Sequence, residues 1–370
     1  MIILKATQTS VLEHLQQIAG IVEKRHTVPV LANVLIHKKG EQSVWTTSDL
    51  EIQMRNQATL GGDETEQYST TVAVRKLLDI LRTLPSEQMV SLEDKDQKLV
   101  LRAGKSRFTL QSLPAQDFPL VQEASNYGDP ISLPQKELKK LLQQVAFSMA
   151  VQDIRHYLNG LLLQIDGKKL AIVATDGHRL AYSETSLEQE LPKQDIILPR
   201  KTVLELLHLL SENEDAMMEL AIASNQARFR FGTLEFISKL VEGKFPDYNR
   251  VIPQNHSHTL VVSRTALQAS LQRTAIMMSD KFKGVRLNLE PGLLRVSSSN
   301  NEQEEAIDEL DVDYAGPSME IGFNVTYLQE VLANTHQDMV HFALQDGNSS
   351  SLITIPELSG FKYVVMPMRI

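Results

Sequence analysis

The chain has 370 residues, too many for one ordinary hydrophobic core, so its length points to two to four domains. Apolar residues make up 42% and charged residues 22%, which excludes a disordered or fibrous protein, and no run of about 18 uncharged apolar residues offers a membrane-spanning helix. There is no cysteine, which removes disulfides, thiolate nucleophiles and Cys-ligated metals, and a net charge of −9 argues on its face against a polyanionic partner. The apolar start, Met1 to Lys5, is too short for a signal peptide, so a cytoplasmic location is expected.

A helical pattern over 9–20 opens the chain. It is followed by the hairpin VLIHKKGEQSVWTTSD, which turns at Gly40 and ends in Ser48-Asp49. Val74, Leu77, Leu78, Leu81 and Leu84 then recur at helical spacing, with Arg75, Lys76, Asp79 and Arg82 on the other face. The segment RFTLQSLPAQDFP closes this block at Phe118-Pro119. The same signals return in the same order: a helix over 135–149, the hairpin LLLQIDGKKLAIVATD turning at Gly167, and a helix over 199–210. Next comes a strand in which Ala227, Phe229 and Phe231 alternate with Arg228 and Arg230, and then LEFISKLVEGKFPD with Phe245-Pro246. A third round gives a helix over 264–278, the hairpin VRLNLEPGLLRVSSSN turning at Gly292, and a helix over 324–335.

The turn glycines lie 127 and 125 residues apart and the two Phe-Pro pairs 127 apart. Several coincidences at one period indicate a triplicated domain. Boundaries fall in the polar, turn-rich stretches near 126–130 and 254–257, giving domains 1–127, 128–254 and 255–370. Each repeat reads as two helices and six to eight mostly antiparallel strands, an α+β arrangement with helices on one face of the sheets.

Counted over 10–25, 75–84, 135–147, 200–210, 264–274 and 324–335, the six helical segments with their flanks together carry +6 in a chain of −9, which leaves −15 for the rest. If all six lined one wall, that wall would attract an anionic polymer without reading bases; surface helices rich in Lys and Arg are the plain alternative, and charge alone does not separate the two. The negative charge has a focus at Glu302, Glu304, Glu305, Asp308, Glu309, Asp311 and Asp313. This run lacks the glycine and spacing of a calcium loop, so it reads as a solvated edge, or as an interface for a basic strand such as the one bearing Arg102, Lys105 and Arg107. Pairing of that kind would join copies head to tail, closing a ring if the rotation fits.

Candidate chemistry is sparse. Gly104-Lys105-Ser106 lacks the earlier glycine of a phosphate loop, and His256-Ser257-His258 has no third metal ligand nearby. Asp176 and His178, two apart in Ala174-Thr175-Asp176-Gly177-His178-Arg179-Leu180-Ala181, could act as a base and its orienter in a hydrolase or transferase. No nucleophile accompanies them, however, and the corresponding loops of the other repeats carry Asp49 and Asn300. A shared Asp/Asn suggests turn chemistry, the side chain accepting from nearby backbone N–H groups. A peptide-binding scaffold that never touches DNA is a further alternative.

With this motif and the triplication in view, the chain resembles the bacterial DNA polymerase III β subunit family of sliding clamps from end to end. The most specific stretches are ATDGHRLA (174–181), FSMAVQDIRHYLNG (147–160), KFPDYNRV (244–251), EIGFNVTYL (320–328) and YVVMPMRI (363–370). The resemblance implies the DNA clamp fold: a head-to-tail homodimeric ring of six similar domains, sheets outside and helices inside, sliding on double-stranded DNA. It implies no catalytic residue, no metal and no cofactor. It also implies a pocket for short motifs rich in Gln and Leu/Phe, carried by the replicative polymerase subunit, the clamp loader, translesion polymerases and mismatch-repair proteins.

Transferred by motif, one subsite would comprise Arg155, Leu158, Thr175, Gly177, His178, Arg179, Leu180, Pro246, Arg250, Val251, Val364 and Met366. Its neighbour would comprise Tyr157, Asn324, Tyr327, Ser350, Met366, Pro367, Met368 and Arg369. The apolar members suit an apolar hole, and the terminal methionines can re-pack around different side chains. Asn348 and His156 depart from the family pattern beside the pocket. The resemblance assigns DNA contact to Arg25, Gln152, Tyr157 and Lys201, and the dimer seam to Lys76, Arg107, Phe108, Leu110, Ile276, Met277, Glu302, Glu304 and Glu305.

Overall fold

The computed structural model describes residues 1–23, 27–65, 67–95, 98–278 and 283–370. Among these residues are six α-helices: α1 (Gln8–Ala19), α2 (Val74–Thr83), α3 (Gln135–Val145), α4 (Arg200–Leu209), α5 (Arg264–Ala275) and α6 (Val325–Ala333). They fall two to each repeat, where the apolar spacing places them, and each directly follows a strand. Thr7, Ser263 and Asn324 cap α1, α5 and α6, each side-chain oxygen accepting from an N–H of the first turn. On α2, Val74, Leu77, Leu78 and Leu81 are buried while Arg75, Lys76, Asp79 and Arg82 face water, as the spacing predicts. Helix α3 stops at Val145 rather than 149 because a 3-10 turn, Ala146–Ser148, takes over. Phe231 is only half-buried, unlike Ala227 and Phe229, because it ends its strand.

Residues 1–136 and 208–240 form one compact unit. It contains a four-stranded sheet in the order Ile2–Thr7, Met89–Lys95, Lys98–Ala103, Ser106–Gln111. Its second sheet has eight strands: Tyr68–Ala73, Asn33–Lys39, Gln42–Ser48, Ile52–Thr59, Leu234–Lys239, Gln226–Phe231, Met217–Ile222 and Ile131–Pro134. Repeats one and two join inside this sheet, where Met54 stands opposite Phe236.

Residues 137–207 and 241–370 form the other unit. Its seven-stranded sheet runs Gly160–Thr175, Arg179–Pro199, Lys362–Val365, Ser351–Thr354, Met339–Leu344, His258–Ser263, Asp313–Tyr314. Repeats two and three join there, Leu180 opposite Val364. A four-stranded sheet, Glu305–Asp311, Leu293–Ser299, Gly284–Glu290, Met319–Asn324, completes the unit. Every pairing in both units is antiparallel. The third repeat has nine described strands rather than the six to eight expected; the excess lies in pieces of two and four residues that carry no strong alternation.

The repeat signature is geometric as well as textual. The predicted turn glycines Gly40, Gly167 and Gly292 have φ of 60°, 62° and 79°, a region open to glycine at little cost. The residues following each second strand build a related turn three times, the third one residue longer than the other two. Asp49 Oδ1 accepts from the N–H groups of Glu51 and Ile52, Asp176 Oδ1 from His178 and Arg179, and Asn300 Oδ1 from Glu302 and Glu304.

His14 on α1 is buried edge-on against Trp45, with ring centroids 5.3 Å apart. Burial pushes its pKa from 6.5 down to about 4. The unfolded chain therefore binds a proton that the folded chain refuses between those values, and stability falls as pH drops through this window, by about 3 kcal/mol in total. His14→Leu should lack this contribution. Urea midpoints from pH 7 to 4.5 should show wild type losing ground against the variant; a constant gap would mean the imidazole is not held neutral.

Candidate peptide-docking site

The chain reverses between Thr175 and Leu180, which pair across the hairpin. Gly177 makes the reversal with φ +92°. Thr175 Oγ1 accepts from Gly177 N at 3.1 Å and donates to Arg179 O at 2.5 Å. Asp176 uses one carboxylate oxygen for the turn and offers the other to Arg179 Nε at 3.0 Å. His178 is exposed, and its carbonyl accepts from Met366 N at 3.0 Å, continuing the join to the final strand. A catalytic reading would need Asp176 to orient His178. The carboxylate is instead committed to backbone and to Arg179.

Arg179 is the anchor. Its side chain is only 7% exposed, Nη2 donates to Phe147 O at 2.6 Å, and Nη1 pairs with Glu330 on α6. The guanidinium lies 4.3 Å from the ring centroid of Tyr327, close enough for a cation–π contact. Carrying a full charge into an apolar interior is tolerable because these donors are matched by partners.

Beside the turn opens a cavity of about 190 Å³ lined by Arg155, Tyr157, Leu158, Thr175, Gly177, Arg179, Leu180, Phe245, Pro246, Tyr248, Val251, Val364 and Met366. Its floor is part of a packed cluster that includes Leu162, Val173, Tyr182, Ile197 and Ile252. Whole small-molecule sites occupy about 300–1,000 Å³, so this space suits one or two side chains of a longer ligand. Arg155 forms a rim. Asp153 accepts from its backbone N, Nε and Nη2, an arrangement that holds the Asp153 carboxyl down at about 2, and Nη2 reaches Asp176 O at 3.4 Å.

Of the first predicted subsite, the structure gathers all residues around this cavity except two. His178 contributes its backbone to Met366, and Arg250 stands outside, 3.0 Å from Asp247 and largely exposed. Tyr157, expected in the neighbouring subsite, lines this cavity instead. Phe245 and Tyr248 were missed, although the repeated Phe-Pro pair singles out Phe245 as a core residue. The other residues of the second subsite are distributed as follows. Asn324 caps α6, Tyr327 lies under Arg179, and the Ser350 carbonyl bonds His256 Nε2 at 2.7 Å. Met366 and Met368 are 39% and 37% exposed, and Pro367 and Arg369 complete the tail.

Arg25 lies outside the described residues. Gln152 is exposed with φ +56°, and Lys201 sits in the first turn of α4. Arg107, Phe108 and Leu110 share the edge strand Ser106–Gln111, with Leu110 turned inward, and Lys76 is exposed on α2. Ile276 is 74% exposed and Met277 half-buried just after α5, while Glu302, Glu304 and Glu305 are exposed where the strand Glu305–Asp311 begins. Two acids of the run find partners within their own repeat: Asp308 with Arg273, and Glu309 with Arg295.

Family models of the DNA polymerase III beta subunit match the chain three times: the N-terminal domain over 3–122, the central domain over 132–247 and the C-terminal domain over 249–369. The beta sliding clamp of Pseudomonas aeruginosa is 44% identical over 364 residues, covering 98% of each chain. That of Escherichia coli is 40% identical over 97% of each. The crystal structure of the Pseudomonas aeruginosa subunit superposes with a TM-score of 0.95 at 42% identity, covering 99% of this chain and 100% of that one. A second structure of that clamp, bound to griselimycin, gives 0.94 over 99% of both chains. The three-domain clamp fold, the repeat and these matches thus meet in one conclusion: the chain works as a sliding clamp, a processivity factor rather than an enzyme, and belongs to the DNA polymerase III beta subunit family.

Proposed function

We propose that two copies close head to tail into a ring around double-stranded DNA, with domains 1–127, 128–254 and 255–370 in each. One observation carries the ring: the way the repeats already join. The strand after the Asx turn of repeat one, Ile52–Thr59, pairs with the last strand of repeat two, Leu234–Lys239. The strand after the turn of repeat two, Arg179–Pro199, pairs with the last strand of repeat three, Lys362–Val365. Of the described strands that follow an Asx turn and those that end a repeat, two are left without a partner of the other kind, and both stand at a sheet edge. They are Glu305–Asp311, after the turn of repeat three, and Ser106–Gln111, the last strand of repeat one. Joining them between copies repeats the internal rule and covers edges that would otherwise template aggregation. Glu302, Glu304 and Glu305 meet Arg107 there, with Lys76, Phe108, Leu110, Ile276 and Met277 flanking the seam.

The net positive charge of the helical segments supplies a weak, sequence-independent hold on phosphate, with Arg25, Gln152, Tyr157 and Lys201 making contacts to the duplex. Weak contact suits sliding, because topology provides the retention. The cavity behind the Asp176 turn receives apolar side chains of short motifs from the polymerase, clamp loader, translesion polymerases and mismatch-repair proteins. Leu158, Leu180, Val251 and Val364 take the apolar groups; Arg155, Arg179 and the tail Met366–Arg369 frame the rest. The setting is the cytoplasm, and no helix among the described residues is long and apolar enough to cross a membrane.

Arg107→Glu places like charges across the seam, and its dimer dissociation constant should rise by about tenfold or more. Raised salt should weaken the wild-type dimer only modestly. Sedimentation velocity over a concentration series reads both. A variant dimer as tight as wild type would refute the charge pairing.

A further inference from the structure

The last five residues are seated in a place shaped for them. Met368 N donates to Gly322 O at 2.7 Å, and Arg286 Nη2 donates to Ile370 O at 3.2 Å. In the four-stranded sheet of this unit, Gly284 pairs with Asn324 and Arg286 with Gly322, so the two glycines are diagonal neighbours on one face. Neither has a left-handed φ, so the backbone does not demand glycine at either position. Space does. A Cβ at Gly284 would meet Ile370 Cδ1 at 2.9 Å; one at Gly322 would meet Met368 O at 2.4 Å and Ile370 Cδ1 at 2.8 Å. Glycine inside a strand weakens it and marks the close approach of another group. Here that group is Ile370, 41% exposed, whose side chain packs over the dent while Arg286 Nη2 donates to its oxygen.

We propose that Ile370, in the seat formed by Gly284, Gly322 and Arg286, is a latch that positions Met366 and Met368 at the docking cavity. The proposal rests on the peptide-docking reading above and adds to it a positioning role for residues that do not line the cavity. Met366 is tied at one end to the His178 carbonyl. Without a second tie, the segment after it would be a loose terminus, and ordering it would weaken every peptide that needs it. The latch leaves the thioether side chains free to re-pack while the backbone stays in place.

The test uses the full-length dimer, a fluorescein-labelled peptide made of Gln, Leu and Phe residues, and amide hydrogen exchange at Met368. Two variants are compared with wild type. Ile370→Gly changes only the end of the chain and leaves the fold intact; Gly322→Ala puts a methyl group into the seat. Both should speed exchange at Met368 by about tenfold and raise the peptide's Kd by about tenfold, with sedimentation unchanged. If Met368 exchanges in Ile370→Gly as in wild type, the latch is wrong. If exchange quickens while peptide affinity stays the same, Ile370 holds the tail without positioning it, and the proposal also fails. If wild type itself does not bind the peptide, the docking reading falls and takes the latch with it, which separates the two failures.

Discussion

Arg179→Ala should lower the stability of the protein by about 2–3 kcal/mol and abolish peptide binding, while Arg179→Lys should recover little of either. The guanidinium is matched on three sides, by Asp176 Oδ2, Phe147 O and Glu330, and stacks on Tyr327. Breaking a buried pair from one side typically costs about 3–5 kcal/mol, because the other charge is left without compensation. The cost here falls at or below the bottom of that range, since the Glu330 side chain is 38% exposed and regains water when freed. A lysine offers one point charge where a planar fork now reaches partners from separate segments. Urea unfolding followed by circular dichroism, with peptide titration by fluorescence anisotropy, tests both halves. A loss below about 0.5 kcal/mol with peptide binding preserved would show that the network neither supports the fold nor shapes the pocket.

Local signals in the sequence placed much of this fold. The six helices, the left-handed turn glycines and the Asp/Asn at each strand end depend on neighbours a few residues away, and periodicity carries that information. Triplication added a check that one domain would lack, because Asp49 and Asn300 show what Asp176 does. What stayed hidden depends on distant partners. Glu330 lies 151 residues from Arg179, and no spacing announces that they meet. Lys38 looks like an exposed strand residue, yet it is fully buried, its Nζ bonding the carbonyls of Ile3 and Gly61 at 2.9 and 2.6 Å. Phe245 and Tyr248 read as ordinary core, and only the folded chain shows that this core is the wall of a cavity. The resemblance to a known family supplied the remaining pocket residues. Around this cavity His178, Arg250 and Tyr157 sit differently from the grouping the resemblance implies: His178 is exposed with its carbonyl bonded to Met366, Arg250 pairs with Asp247, and Tyr157 lines the cavity.

A closed ring is indifferent to DNA sequence and only modestly sensitive to salt, but it depends on whether the DNA has ends. Contact alone would be lost from circular and linear DNA at equal rates, and faster as salt rises. Topological linkage is lost only where a free end allows escape. The direct measurement loads the protein onto a nicked circular plasmid with a clamp loader, removes free protein by gel filtration, and follows bound protein before and after one restriction cut. The ring predicts retention at least about tenfold longer on the intact circle, with rapid loss after cutting and recovery of retention when the ends are blocked by bound protein. Equal retention on circle and linear molecule would contradict it.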